Sequence, residues 1–201
     1  MPHDVSTINP LSFDGAWATN WVLYYRYAKL QRDKFYFVCN EYHQEKGKLI
    51  ESGMDELVIS HELNSIMEKA FQEYVSLIVF ACMAFEGFVN YYGVKKLGQS
   101  FYKRNIERLG ITEKLSAILA ICCGILIEPT STLIQNARGL FDKRNSLVHP
   151  KTKEITSDNI HEYLSTEPIK KEVDDLLNCL EFLFEKLIEC DPDIKKEVKL
   201  I

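Results

Sequence analysis

Apolar or small residues recur at 63, 66, 67, 70, 71, 74, 77, 78, 81, 82, 85, 88 and 89. This spacing keeps one stripe of a 3.6-residue helix facing inward over about seven turns and predicts a helix from Ser60 to Lys96. Between Val75 and Val89 that helix is apolar nearly all round, the pattern of the central element of a bundle. Upstream, a tail spanning 1–13 carries Pro2 and Pro10 and reads as flexible. A first helix from Asp14 to Lys48 follows, with Trp17, Trp21, Tyr24 and Ala28 on one stripe, and Gly47 and Glu51-Ser52-Gly53 mark the turn after it. A third helical stretch covers Ser100 to Arg108 and ends at Gly110. A fourth runs from Thr112, a natural N-cap, to Cys123. Glu128-Pro129 opens a fifth, with proline in the first turn, where its missing N–H costs nothing. A polar loop at 151–168, with room for a helical turn near Asn159 to Leu164, leads to a last helix from Ile169 to Cys190. That helix presents Val173, Leu176, Leu177, Leu180, Leu183, Phe184, Leu187 and Ile188 on one face. No segment reads as a strand. The expected fold is all-α: an antiparallel bundle of five or six helices forming a single domain over 1–201.

Two charged residues break this pattern. In the fifth helix Leu133, Ile134, Ala137, Leu140, Phe141, Leu147 and Val148 form the inward stripe, and Arg144 occupies the position between Phe141 and Leu147. In the central helix Glu86 stands among Phe85, Phe88 and Val89. A buried charge persists only when paired, so a Glu86 to Arg144 contact is expected, unless Glu86 faces solvent across Gly87. His149 precedes Pro150, and the residue before a proline is pushed out of the α region. The helix should therefore end there, with the imidazole at the negative end of the dipole, where imidazolium is favoured.

Composition narrows the function classes. A chain of 201 residues, 46% hydrophobic, can bury a full core without disulfides or metal. Six cysteines lack C-x2-C pairing, and no signal peptide precedes them, which points to a reducing, cytoplasmic setting. The adjacent pair Cys122-Cys123 reads as apolar packing rather than redox chemistry. The longest apolar runs fall short of the roughly 20 residues of a membrane span. Phosphate-binding loops, dinucleotide fingerprints, zinc-protease and serine-hydrolase motifs and the Glu-x-x-His repeat of di-iron bundles are all missing from the sequence, so no cofactor or metal is implied. His43, His61 and His161 read as surface residues.

The net charge of −5 argues against a strongly basic nucleic-acid coat protein, but its distribution is uneven. From 138 to 153, Arg138, Lys143, Arg144, Lys151 and Lys153 face one acid, Asp142, a local +4, whereas 154 to 201 carries thirteen acids against six lysines, or −7. The basic window suits an RNA backbone or a solvated helix end. Trp17, Trp21, Tyr25, Phe35, Tyr36 and Phe37 have faces that accept any base, although such a stripe is commonly core or subunit contact.

Arg144-Asn145-Ser146-Leu147-Val148-His149, at the end of a late helix in an all-helical chain, resembles the R-x4-H motif of the HEPN family (higher eukaryotes and prokaryotes nucleotide-binding domains). The resemblance implies a HEPN-like bundle and a homodimer that brings two motifs together. It also implies a metal-independent endoribonuclease that leaves a 2′,3′-cyclic phosphate and a 5′-hydroxyl, serving as a toxin, stress or antiphage-defence effector. A regulatory protein or antitoxin is a further partner it suggests. One toxin branch carries a tyrosine two residues after the histidine; here Lys151 stands there, a departure from the branch neutralised at that tyrosine.

The residue chemistry fits such a reaction. RNA carries its own nucleophile, so cleavage needs a base at the 2′-oxygen, an acid at the 5′-oxygen and a cation for the developing phosphoryl charge. His149 suits the proton transfers and Arg144 the phosphate. Asn145, four residues before His149, lies on its flank and can hydrogen-bond the imidazole or a phosphate oxygen. Glu86 would support Arg144, and Arg138, Lys143, Lys151 and Lys153 would bind RNA. Two other readings stay open: a non-catalytic HEPN-like module binding nucleotide or protein, and a helical dimerisation protein in which Arg144 is only an ion-pair partner.

Overall fold

A computed structural model describes residues 9–12, 15–17, 20–148 and 170–195; the expected loop at 151–168, with His149, Lys151, Lys153 and His161, lies outside them. The elements are β1 (Asn9–Ser12), β2 (Gly15–Trp17), α1 (Trp21–Glu51), α2 (Glu56–Leu97), α3 (Gln99–Asn105), α4 (Ile111–Cys123), α5 (Thr132–Val148) and α6 (Lys170–Cys190), then a 3-10 turn at Pro192–Ile194. The described residues are thus overwhelmingly α-helical, with six helices packed together.

The N-terminal expectation is corrected. Asn9 pairs with Trp17 and Pro10 with Ala16 in a short antiparallel ladder, where a tail and the first helical turns were expected. Glycine is costly inside a helix, so Gly15 is a poor first-turn residue, and proline is tolerated on an edge strand. Helix α1 consequently starts at Trp21, and Trp17 does not belong to its stripe.

Helices α1 and α2 form a long antiparallel hairpin. Trp21, Tyr25, Ala28, Phe35, Cys39 and Tyr42 on α1 are buried at the 4 and 3 spacings of a packing seam, as are Ile59, Leu63, Ile66 and Ala70 on α2. The turn is shorter than expected. Helix α1 runs through Gly47 to Glu51, and the Asp55 carboxylate accepts the Leu57 N–H at 2.9 Å, capping α2 four residues before Ser60. Of the predicted α2 stripe only Phe71 is exposed.

Helix α6 returns antiparallel along α1, since Tyr25 donates to Glu181 (2.8 Å), Tyr36 to Asp174, and Lys170 to Asn40 (3.0 Å). Helix α5 runs antiparallel to α2 and α6: the Cys82 thiol reaches the Leu140 carbonyl at 3.6 Å and the Cys179 thiol the Asn136 carbonyl at 3.8 Å, while further along α5 Lys143 meets the earlier residues Tyr74 of α2 and Glu172 of α6. These four helices enclose one core. At its centre Trp21 meets Phe88 edge-on at 4.9 Å, and Phe184 packs on Phe88 at 5.2 Å. Such pairs add about 0.5–1.5 kcal/mol each beyond burial. Trp21, Tyr25 and Phe35 are therefore core residues, closed to bases.

Helices α3 and α4 cover the C-terminal part of α2. Helix α4 starts one residue earlier than expected, with Gly110 rather than Thr112 at its N-cap. It ends at Gly124, whose φ of 67° suits the left-handed cap that lets the Gly124 and Ile125 N–H groups reach Ala120 and Leu119. By length and composition α2 includes a stretch apolar enough to cross a bilayer, contrary to the reading of its apolar run alone. Most of that stretch is buried against the other helices, as the central helix of a bundle requires.

Candidate functional site at the end of α5

The helix that carries the motif is launched by Ser131, not by the expected Glu128-Pro129 pair. The Ser131 hydroxyl accepts the Ile134 N–H at 3.4 Å and its carbonyl accepts the Gln135 N–H at 2.9 Å, while Pro129 lies in the preceding turn. Leu133, Ile134, Ala137, Leu140 and Phe141 are buried as the stripe predicts. The last turn departs from it. Arg144 and Leu147 are only half-buried and Val148 is exposed.

Arg144 is held locally. Its guanidinium lies over the Phe141 ring, 5.0 Å from the centroid, and its Nε and Nη2 donate to the Asn145 Oδ1 at 3.1 and 2.7 Å. Asn145, expected to serve the imidazole or a phosphate, gives its carbonyl oxygen to the arginine, and His149 lies outside the described residues. The face of one ring and the edge of one amide fix the plane of the cation.

The expected Glu86 to Arg144 pair is not formed. Glu86 Oε1 pairs with Lys114 Nζ at 3.2 Å, and helix register gives the reason. Cys82 lies opposite Leu140 in antiparallel helices, so Arg144 falls near the level of Ile78, two turns from Glu86. Cys82 stands between the two charges. Burial pushes its thiol up to about 12, with Arg144 opposing and Glu86 adding to the shift. Lys114 is the buried member of the true pair and also donates to the Asn90 Oδ1 at 3.1 Å, which Tyr102 approaches with its hydroxyl at 2.5 Å. Burial, then the charges of Glu107 and Glu86, raise Tyr102 to about 12, so its hydroxyl stays protonated as a donor. Lys114 was legible in the sequence: with Ile111, Leu115 and Ile118 it occupies the inward stripe of α4.

Lys143, next to Arg144, is tied to two other helices. Its ammonium lies 3.1 Å from Glu172 Oε2 on α6 and 5.4 Å from the centroid of the Tyr74 ring on α2, and the Tyr74 hydroxyl donates to the same carboxylate oxygen at 2.7 Å. The Tyr74 hydrogen bond and the lysine together hold the Glu172 carboxyl below its ordinary range despite partial burial. Desolvation alone would lower the Lys143 ammonium, but contact with Tyr74 and Glu172 outweighs it and the pKa is raised. No local sequence signal marks Tyr74 or Glu172 as partners, because they come from helices separated by 98 positions. Arg138 is exposed one and a half turns earlier on α5. His149, Lys151 and Lys153 complete the predicted site but lie outside the described residues.

Elsewhere, Asp191 is buried where α6 meets the 3-10 turn, accepting Tyr92 at 2.6 Å and pairing with Lys96 at 2.7 Å. Cys122 and Cys123 are half-buried; Cys123 Sγ lies 3.6 Å from the Tyr92 hydroxyl, and burial raises the Cys122 thiol. Among the described residues no group of three or more His, Cys, Asp and Glu side chains is placed to hold a metal ion. No family model matches the chain, and neither the curated proteins nor the solved structures compared with it give a match.

Proposed function

We propose that this chain is an endoribonuclease of the HEPN type, cutting RNA without a metal ion through the RNA's own 2′-hydroxyl and acting as a toxin, stress or antiphage effector. The observation that carries the reading is the oriented, half-exposed Arg144 five residues before His149, at the end of a helix in an α-helical bundle. Asn145 occupies the Nε and Nη2 side of the guanidinium, and the Nη1 side is the one to meet a phosphoryl oxygen. His149 acts as general acid or base. One histidine cannot conveniently serve both the 2′- and the 5′-oxygen, so two protomers supply one each across a two-fold axis, and Arg138, Lys151 and Lys153 line the groove so formed.

The test uses a fluorescent RNA with divalent ions chelated, beside a DNA oligonucleotide of equal sequence. Wild type is expected to cleave the RNA alone. His149→Ala and Arg144→Ala are each expected to lose about 100-fold or more, the usual contribution of a proton-transfer group or a transition-state donor. Excess His149→Ala subunits should depress wild-type activity below simple dilution. Undiminished cleavage by His149→Ala sinks the proposal, and RNA binding without cleavage by wild type replaces it with a binding module.

A further inference from the structure

Lys143 belongs to the basic window around the motif, yet its surroundings differ from those of an RNA-facing lysine. Its ammonium is 3.1 Å from Glu172 Oε2, and the same oxygen accepts the Tyr74 hydroxyl at 2.7 Å. One carboxylate oxygen therefore joins α2, α5 and α6 at the residue before Arg144. An exposed lysine that gathers phosphates keeps its charge toward solvent, whereas this charge is spent on an acid from another helix.

We infer that Lys143 is a positioning residue which, with Glu172 and Tyr74, fixes the last turn of α5 and so the direction from which Arg144 meets a substrate. The inference rests on the ribonuclease reading for its kinetic readout only. The stripe supports the need for such a clamp. Full burial ends at Phe141: in the last turn Leu147 is only partly buried against the core and Val148 is exposed, so its apolar anchorage is weaker than that of the preceding turns. Helix ends fray when neither packing nor caps hold them, and a clamp one residue before the arginine prevents that. Misplacement of a reacting group by about 1 Å costs on the order of 100-fold in rate.

The experiment compares Glu172→Gln, Lys143→Gln and Lys143→Arg by steady-state RNA cleavage, by the salt dependence of KM, and by hydrogen exchange of the amides from Asn145 to Val148. Glu172→Gln removes no cation, so a loss there cannot come from RNA binding. The expected result is a fall in kcat of about 10–100-fold for Glu172→Gln and Lys143→Gln. KM and its salt slope should stay unchanged, amide protection should fall in both variants, and Lys143→Arg should recover most of the rate. If Lys143→Gln instead raises KM and flattens its salt slope while Glu172→Gln is harmless, Lys143 touches RNA and the inference is overturned. Should wild type cleave no RNA, the ribonuclease reading fails alone, and the exchange measurement still decides: unchanged protection of Asn145 to Val148 in Glu172→Gln overturns the positioning role.

Discussion

Two of the lysine, carboxylate and tyrosine clusters along helix α2 lie about three turns apart and differ in their access to water. In the first, Lys114 meets Glu86, with Asn90 and Tyr102 completing the set; the lysine side chain is 5% exposed and the glutamate 39%. In the second, Lys143 meets Glu172 under the Tyr74 hydroxyl, and the two charged side chains are 38% and 44% exposed. The chemistry is nearly the same, but the consequences diverge. A lysine walled in by α2, α3 and α4 makes its partner costly to remove, whereas a solvated pair contributes little energy and mainly sets geometry.

The sharpest way to break this contrast is to remove one partner at a time from the buried cluster. Glu86→Ala leaves Lys114 buried with only the Asn90 oxygen and should cost about 3–5 kcal/mol. Lys114→Met leaves a carboxylate that already reaches water and should cost less. Urea unfolding of both variants checks the order, and equal losses would mean that the difference in exposure between the two charges does not set the cost.

A smaller effect is expected from the wall of the same cluster. A Cβ at Gly93 would stand 2.5 and 2.8 Å from atoms of the Tyr102 ring and 2.9 Å from Ile118 Cδ1. Gly93→Ala should therefore displace the ring that bonds Asn90 and cost about 1–3 kcal/mol, as overpacking does. Thermal unfolding beside Tyr102→Phe separates the two causes. A Gly93→Ala variant as stable as wild type would show that the ring yields freely.

The smallest effect belongs to the solvated cluster and is read by pH. The Glu172 carboxyl is held below its ordinary value by the Tyr74 hydroxyl and then by Lys143, so its contribution is present above the usual glutamate range and is lost as pH falls through the folded-state value. Screening at this exposure limits it to less than about 1 kcal/mol. The stability difference between wild type and Glu172→Gln, small at neutral pH, should vanish under acid. A difference that persists at low pH would point to packing rather than charge.

The long helices were legible because their stripes repeat over many turns. Buried Leu77, Phe85 and Phe88 on α2, and Val173, Leu180 and Phe184 on α6, lie where periodicity puts them. Boundaries were less legible. Asp55, Gly110 and Ser131 start helices that neighbouring residues also suited, and Gly15 to Trp17 pairs as a strand that no periodic signal announces. At the candidate site, the Arg144-Asn145 contact lies within one turn, whereas the partners of Lys143 come from two distant helices.

The sequence by itself determined that the chain builds a helical bundle around α2, that Arg144 and Asn145 stand at the end of a late helix, and that Glu86 either meets a cation or turns to solvent. Periodicity and local chemistry are written in neighbouring residues, and these conclusions need nothing more. Tertiary structure alone decided that the partner is Lys114 and that Lys143 answers to Glu172. The antiparallel register of α2 and α5 puts Leu140 opposite Cys82 and leaves Glu86 two turns out of Arg144's reach, and register arises only when whole helical faces pack.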